Sequence, residues 1–168
     1  MKKLFVTLLF LLIIIFADSS FAVSPDSTLS SAVVFTASLN AAQESPTDTS
    51  KGTGTAYAVL SPDRKQLTYR ITYAKLTSNF SAAHFHLGAP GVNGGVVMPI
   101  TTFNGNSAMG VWNDIPDSLV GELIKGNIYI NIHTSNYKAG EIRGQLLPVS
   151  GVGFYMNIDA AQVTYADT

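Results

Sequence analysis

The chain has no cysteine, and that absence removes disulfide scaffolds, thiolate zinc sites, iron–sulfur clusters and thiol nucleophiles together. Charge is also scarce. Ten Lys/Arg and eleven Asp/Glu among 168 residues leave a net charge of −1. So balanced a chain lacks the basic footprint of a nucleic-acid or anionic-lipid binder. A charged fraction of 12%, near half the usual ~25%, also argues against a helical protein laced with Glu/Lys pairs. There is no P-loop, no His-Glu-x-x-His and no Gly-x-Ser-x-Gly elbow. An enzyme is therefore the least supported class.

One long apolar run is present. Lys2 and Lys3 precede Leu4 to Phe16, and Ser20-Phe21-Ala22 closes the segment with small residues. This order is that of a secretory signal peptide at residues 1–22, too short to span a bilayer at ~20 apolar residues. With no cysteine after it, a lipoprotein anchor is excluded. Its removal would leave 146 residues with eight basic and ten acidic side chains, and no second span. The expectation is a secreted chain, extracellular or periplasmic, with no membrane attachment after cleavage and a Ser/Pro/Asp-rich linker at 23–32.

Short alternating segments rich in Thr, Val, Ile and Tyr follow, broken by Gly, Pro, Asn and Asp. Eight strands are predicted at Val33–Asn40, Thr53–Leu60, Gln66–Tyr73, Ala82–Leu87, Val96–Thr101, Ser107–Trp112, Asn127–Thr134 and Glu141–Leu147. Pro116 to Lys125 instead carries Leu119, Val120, Leu123 and Ile124 at helical spacing. Asp117 or Ser118 is placed to cap that helix and Gly126 to end it. The fold class is all-β: an antiparallel sandwich or Greek-key-like barrel of about eight strands with one short helix.

Side chains alternate along a strand. Ile128, Ile130 and Ile132 therefore share one face, and Tyr129, Asn131 and His133 the other. Phe85 and Leu87 oppose His84 and His86; Ile142 and Leu146 oppose Glu141, Arg143 and Gln145. All three histidines of the chain thus lie opposite the aliphatic core. His84 and His86 project in parallel, and His133 from another strand would complete a three-imidazole set suited to Cu²⁺ or Zn²⁺. Asn131, Glu141, Arg143 and Gln145 would surround it. The structural alternative is that these histidines bond to neighbours such as Glu141 or Asn131. For other features the structural reading is the stronger. Trp112 and the tyrosines at 69, 73 and 129 read as packing, the glycine-rich segment 88–95 as a hairpin connection, and Glu141 with Arg143 as a structural pair.

Leu39-x-x-x-Gln43-Glu44-Ser45-Pro46 and Ala83-His84-Phe85-His86-Leu87-Gly88 with Asn93-Gly94 resemble the first half of the chordin-type (CHRD) domain. Gly126-x-Ile128-Tyr129-Ile130-Asn131-Ile132-His133-Thr134 and Gly140-Glu141-Ile142-Arg143-Gly144-Gln145-Leu146 resemble its second half. The resemblance implies a CHRD domain at 33–148 acting as an extracellular binding or structural module, with a protein or matrix partner and no established catalysis. The family occurs in animal chordin, an antagonist of bone morphogenetic proteins, and in secreted bacterial proteins. The cysteine-rich modules associated with growth-factor binding in chordin are absent here. The His-x-His strand with a later histidine is also similar to copper–zinc superoxide dismutase, but this chain lacks that family's bridging histidine, further zinc ligands and cysteines.

The last fifteen residues, Phe154 to Thr168, align without gaps on Phe35 to Thr49, with six identities. The tail at 149–168 thus resembles the first strand of a second CHRD repeat. A lone extra strand favours adding to an exposed sheet edge, in its own domain or, by self-association through 151–168, in another subunit.

Overall fold

The structure, a computed structural model, describes residues 31–149. The segment expected as a signal peptide, most of the expected linker and the tail expected to resemble a second repeat lie outside the described residues. Ten strands and two short helical elements follow one another: β1 (Val33–Asn40), a 3₁₀ turn (Ala41–Gln43), β2 (Thr53–Leu60), β3 (Leu67–Ala74), β4 (Phe80–Leu87), β5 (Gly95–Pro99), β6 (Phe103–Asn104), β7 (Ser107–Trp112), α1 (Asp117–Ile124), β8 (Ile128–Thr134), β9 (Ile142–Gln145) and β10 (Leu147–Pro148).

The alternation read from the sequence is the alternation observed. In β3, Leu67, Tyr69, Ile71 and Tyr73 are buried while the residues between them are exposed. All pairings are antiparallel, in the order β5-β4-β8-β9-β1-β2-β3-β7-β6, with β10 on β1. This is one continuous sheet curled into a half barrel. Phe85 on β4 meets Tyr69 on β3, ring centroids 5.1 Å apart, and Trp112 at 5.6 Å. Since β8, β9, β1 and β2 separate β4 from β3, these contacts require the two halves to face each other across one core. Phe35, Leu39, Leu60, Ile71, Phe85, Ile128, Ile130, Ile132 and Ile142 are fully buried there. Each contributes about 1.5–3 kcal/mol of hydrophobic stabilisation.

Departures from the expected boundaries have local causes. β5 ends at Pro99 because the chain then crosses from one sheet edge to the other. Ile100 still donates to the Ala83 carbonyl at 2.9 Å, while Phe103 already pairs with Ala108 of β7. The segment 141–147, expected as one strand, breaks at Leu146. Before the break it pairs with β8; beyond it Leu147 and Pro148 pair with β1. The expected cap on α1 is corrected. Pro116 occupies the N-cap with no side-chain hydrogen bond, and Asp117, the first helical residue, is held by Lys65 Nζ at 2.8 Å. The C-terminus is as expected. Gly126 has φ +79°, Asn127 donates to Glu122 and Gly126 to Leu123, the paired bonds of a Schellman ending.

Candidate metal centre and the polar face around it

β4, β8 and β9 lie side by side, and their registers set the polar residues on a grid. His84 is opposite Asn131 and His86 opposite Tyr129. Asn131 is opposite Arg143 and Tyr129 opposite Gln145. The expectation of a polar sheet surface needs correction in one respect: the surface is covered. Every residue of β8 is buried on both faces, because the segments 44–52, 88–94 and 135–140 lie over it. Asn93 donates to the Ser45 carbonyl at 2.6 Å, which joins two of these covering segments.

The structure brings the three histidines together, with one ring nitrogen from each within 4.8 Å of the others. Two rings are oriented by backbone carbonyls. His133 Nδ1 donates to the Lys138 carbonyl at 3.0 Å, and His86 Nδ1 to that of Gly94 at 3.0 Å. A ring that donates through Nδ1 carries its lone pair on Nε2. His133 Nε2 therefore accepts from His84 Nδ1, 3.1 Å away. His86 Nε2 is buried without a partner. Burial lowers the pKa of His84, with the nearby His86 adding to the effect. Burial, and then His84, push His133 down to about 4 against the opposing pull of the Lys138 carbonyl. The neutral form that burial favours is the form that ligates a metal.

Tyr129 stacks on His86, centroids 4.9 Å apart and 11° from parallel, and its hydroxyl accepts from Gly94 N at 3.1 Å. The Arg143 guanidinium sits 4.0 Å from the Tyr129 ring centre. It donates to Asn93 Oδ1 at 3.2 Å and to the carbonyls of Val92 and Ala89 at 3.2 and 3.5 Å. The glycine-rich loop is thus the hairpin connection expected and also a carbonyl cradle for a buried cation. Only glycine fits at position 94, where a Cβ would collide with the Leu87 carbonyl.

The remaining candidates bond away from the histidines. Gln145 Nε2 donates to the carbonyls of Gly88 and Gly126. Glu141 accepts from Ser50 Oγ, Thr77 N, Thr77 Oγ1 and Thr134 Oγ1. Burial alone would raise its pKa, but these donors hold it below the usual value. Asn131 donates to the Ala139 carbonyl at 3.3 Å. Glu44, Asp48 and the carbonyls of Gly94 and Lys138 carry parts of this region that residue-type patterns did not single out. Glu44 and Gly94 do stand in the motifs quoted above.

A family model for the CHRD domain matches residues 35–146. The chain belongs to the CHRD domain family. The match runs from β1 to the break at Leu146 and includes all three histidines, the glycine-rich loop and Glu141. No curated protein and no solved structure matches the chain. Membership of the CHRD family supports a binding or structural module.

Proposed function

We propose that this CHRD domain is an extracellular module that binds one Cu²⁺ or Zn²⁺ ion through His84, His86 and His133. The observation that carries the proposal is the buried, unpartnered His86 Nε2 in a group of three histidines whose ring nitrogens, one from each, lie within 4.8 Å of one another, the lone pairs of His86 and His133 being set by a carbonyl on the opposite ring nitrogen. Second bonds of this kind orient imidazole ligands in metal sites. The 3.1 Å between His84 Nδ1 and His133 Nε2 is close to the separation of about 3.3 Å between two ligands 2.0–2.1 Å from a tetrahedral ion. Two such ligands stand at most about 4.2 Å apart. A pair at the 4.8 Å limit would have to close slightly, and the half-buried His84 is the ring with room to move. In taking the metal on Nδ1, His84 would shift its proton to Nε2. The basic start, apolar run and small-residue ending of residues 1–22 support export to a compartment where such a site would function.

Protein purified without chelator is expected to carry stoichiometric metal or to bind one Cu²⁺ on titration, followed by paramagnetic resonance. His133→Ala should weaken binding at least about 100-fold with little change in the circular dichroism spectrum. Metal-free protein that takes up no Cu²⁺, or a variant with unchanged affinity, would sink the proposal.

The module's partner is proposed to be an extracellular protein or matrix component, with residues 151–168 able to add a strand to a second copy. If that strand builds assemblies, deleting 151–168 will lower the mass measured by light scattering. A monomer before and after deletion would remove the assembly.

A further inference from the structure

The sequence holds two Asn-Gly steps, Asn93-Gly94 and Asn104-Gly105. Such a step carries its own reaction. Glycine has no Cβ to hinder its backbone nitrogen, which can attack the amide carbon of the preceding side chain. The bond from glycine N to asparagine Cγ forms, the Cγ–Nδ2 bond breaks, and ammonia leaves with the proton of the glycine nitrogen. Water then opens the cyclic imide at either carbonyl, leaving aspartate or isoaspartate. Water is the one co-reactant. Identical in sequence, the two steps are opposite in structure.

At Asn93 the reacting groups are engaged. Nδ2 donates to the Ser45 carbonyl at 2.6 Å, and Oδ1 accepts from Arg143 at 3.2 Å. Gly94 N, the nucleophile, donates to the Tyr129 hydroxyl at 3.1 Å. Gly94 is pressed so closely on the Leu87 carbonyl that a Cβ would not fit. The peptide cannot turn to bring nitrogen and carbon together. Ring closure there requires the covering loop to leave β8 first.

At Asn104 they are free. Among the described residues, its side-chain amide and the Gly105 nitrogen make no hydrogen bond; the bonds of this turn fall on carbonyls. Ser107 Oγ donates to that of Asn104 at 3.1 Å, the Tyr73 hydroxyl to that of Gly105 at 3.3 Å, and Tyr73 N to that of Asn106 at 3.0 Å. Asn104, Gly105 and Asn106 are exposed, and a Cβ at Gly105 would meet nothing within 4 Å. β6 is two residues long and ends the sheet, paired on β7 alone. So short an edge strand opens locally with little free energy, and opening supplies the backbone freedom that ring closure needs.

We propose that Asn104 is a site of spontaneous deamidation, and that the polar layer protects Asn93 from the same reaction. Either product adds a negative charge at the sheet edge. Isoaspartate also inserts a carbon into the backbone at the residue paired with Ser107. With only Phe103 and Asn104 in register, β6 cannot absorb the insertion, and the outer edge of β7 is uncovered.

The test is incubation of the folded mature chain in mildly alkaline buffer made with heavy-oxygen water, which labels each carboxyl as it forms, followed by peptide mapping. Conversion at position 104 should be at least about tenfold faster than at 93, the factor that one retained hydrogen bond to a charged group supplies. In urea the two sites should react at similar rates. Arg143→Lys, which removes a bond to Asn93, should speed conversion at 93 and leave 104 unchanged. Equal conversion at both sites in the folded protein would overturn the proposal. So would an Asn104 amide that persists in the folded chain after the unfolded chain has converted. A difference that survives in urea would trace to sequence alone and overturn it as well, and a rate at 93 unmoved by Arg143→Lys would overturn the protection.

Discussion

Glu141→Ala is expected to lower folding stability by about 3–5 kcal/mol, measured as a reduced urea midpoint at unchanged slope. The carboxylate is fully buried, and four donors from three separate segments converge on it. Ser50 belongs to the connection after the 3₁₀ turn, Thr77 to the connection between β3 and β4, and Thr134 to the end of β8. Alanine would leave the Thr77 N–H without an acceptor and open a polar hole next to Gly52. Glu141→Gln should cost less, about 1–2 kcal/mol, because hydroxyls can reverse roles toward an amide while a backbone N–H cannot. The acid also sets a pH dependence. Its pKa is lower folded than unfolded, so the unfolded chain takes up the proton first. The stabilisation is complete above the ordinary value of 4.5 and is lost as pH falls through the folded value. Glu141→Gln should flatten the stability profile in that acidic window. An alanine variant within about 1 kcal/mol of the parent would show that the three segments are held by other means.

Arg143→Lys is expected to cost about 2–4 kcal/mol, despite conserving charge. Arg143 is 1% exposed and uses two nitrogens at once, on Asn93 Oδ1 and on two loop carbonyls, while its central carbon sits over the Tyr129 ring. An ammonium cannot present that fork or stack in the same way. The lost bonds would free the segment Gly88–Gly94, detectable as faster amide exchange there, with Gly94 and the His86 ring it anchors loosened too. Stability and exchange equal to the parent would remove Arg143 as the support of this loop.

Much of this arrangement was legible in the sequence because strand periodicity is local. Leu67, Tyr69, Ile71 and Tyr73 declare a buried face without reference to any other segment. The same rule put His84, His86 and His133 opposite the core. What escaped were contacts made by chain distant in sequence. Nothing near residue 141 announces that Ser50 and Thr77 will donate to it. Nothing in Gly88–Gly94 announces that its carbonyls will close on Arg143. The polar face therefore read as a surface when it is an interior layer. The cap of α1 escaped for a related reason, since the Asp117 oxygen is taken by Lys65, 52 residues earlier.

The pairing of β1 with β10 has a consequence for the order in which the molecule can be made. Phe35 lies opposite Pro148 and Asn40 opposite Arg143, so the first strand receives its second neighbour only from the far end of the domain. A nascent chain cannot finish the sheet until more than a hundred further residues have emerged. Such non-local closure is slow, on the ms–s scale of β proteins. Until then β1 remains an open edge above an unfinished core.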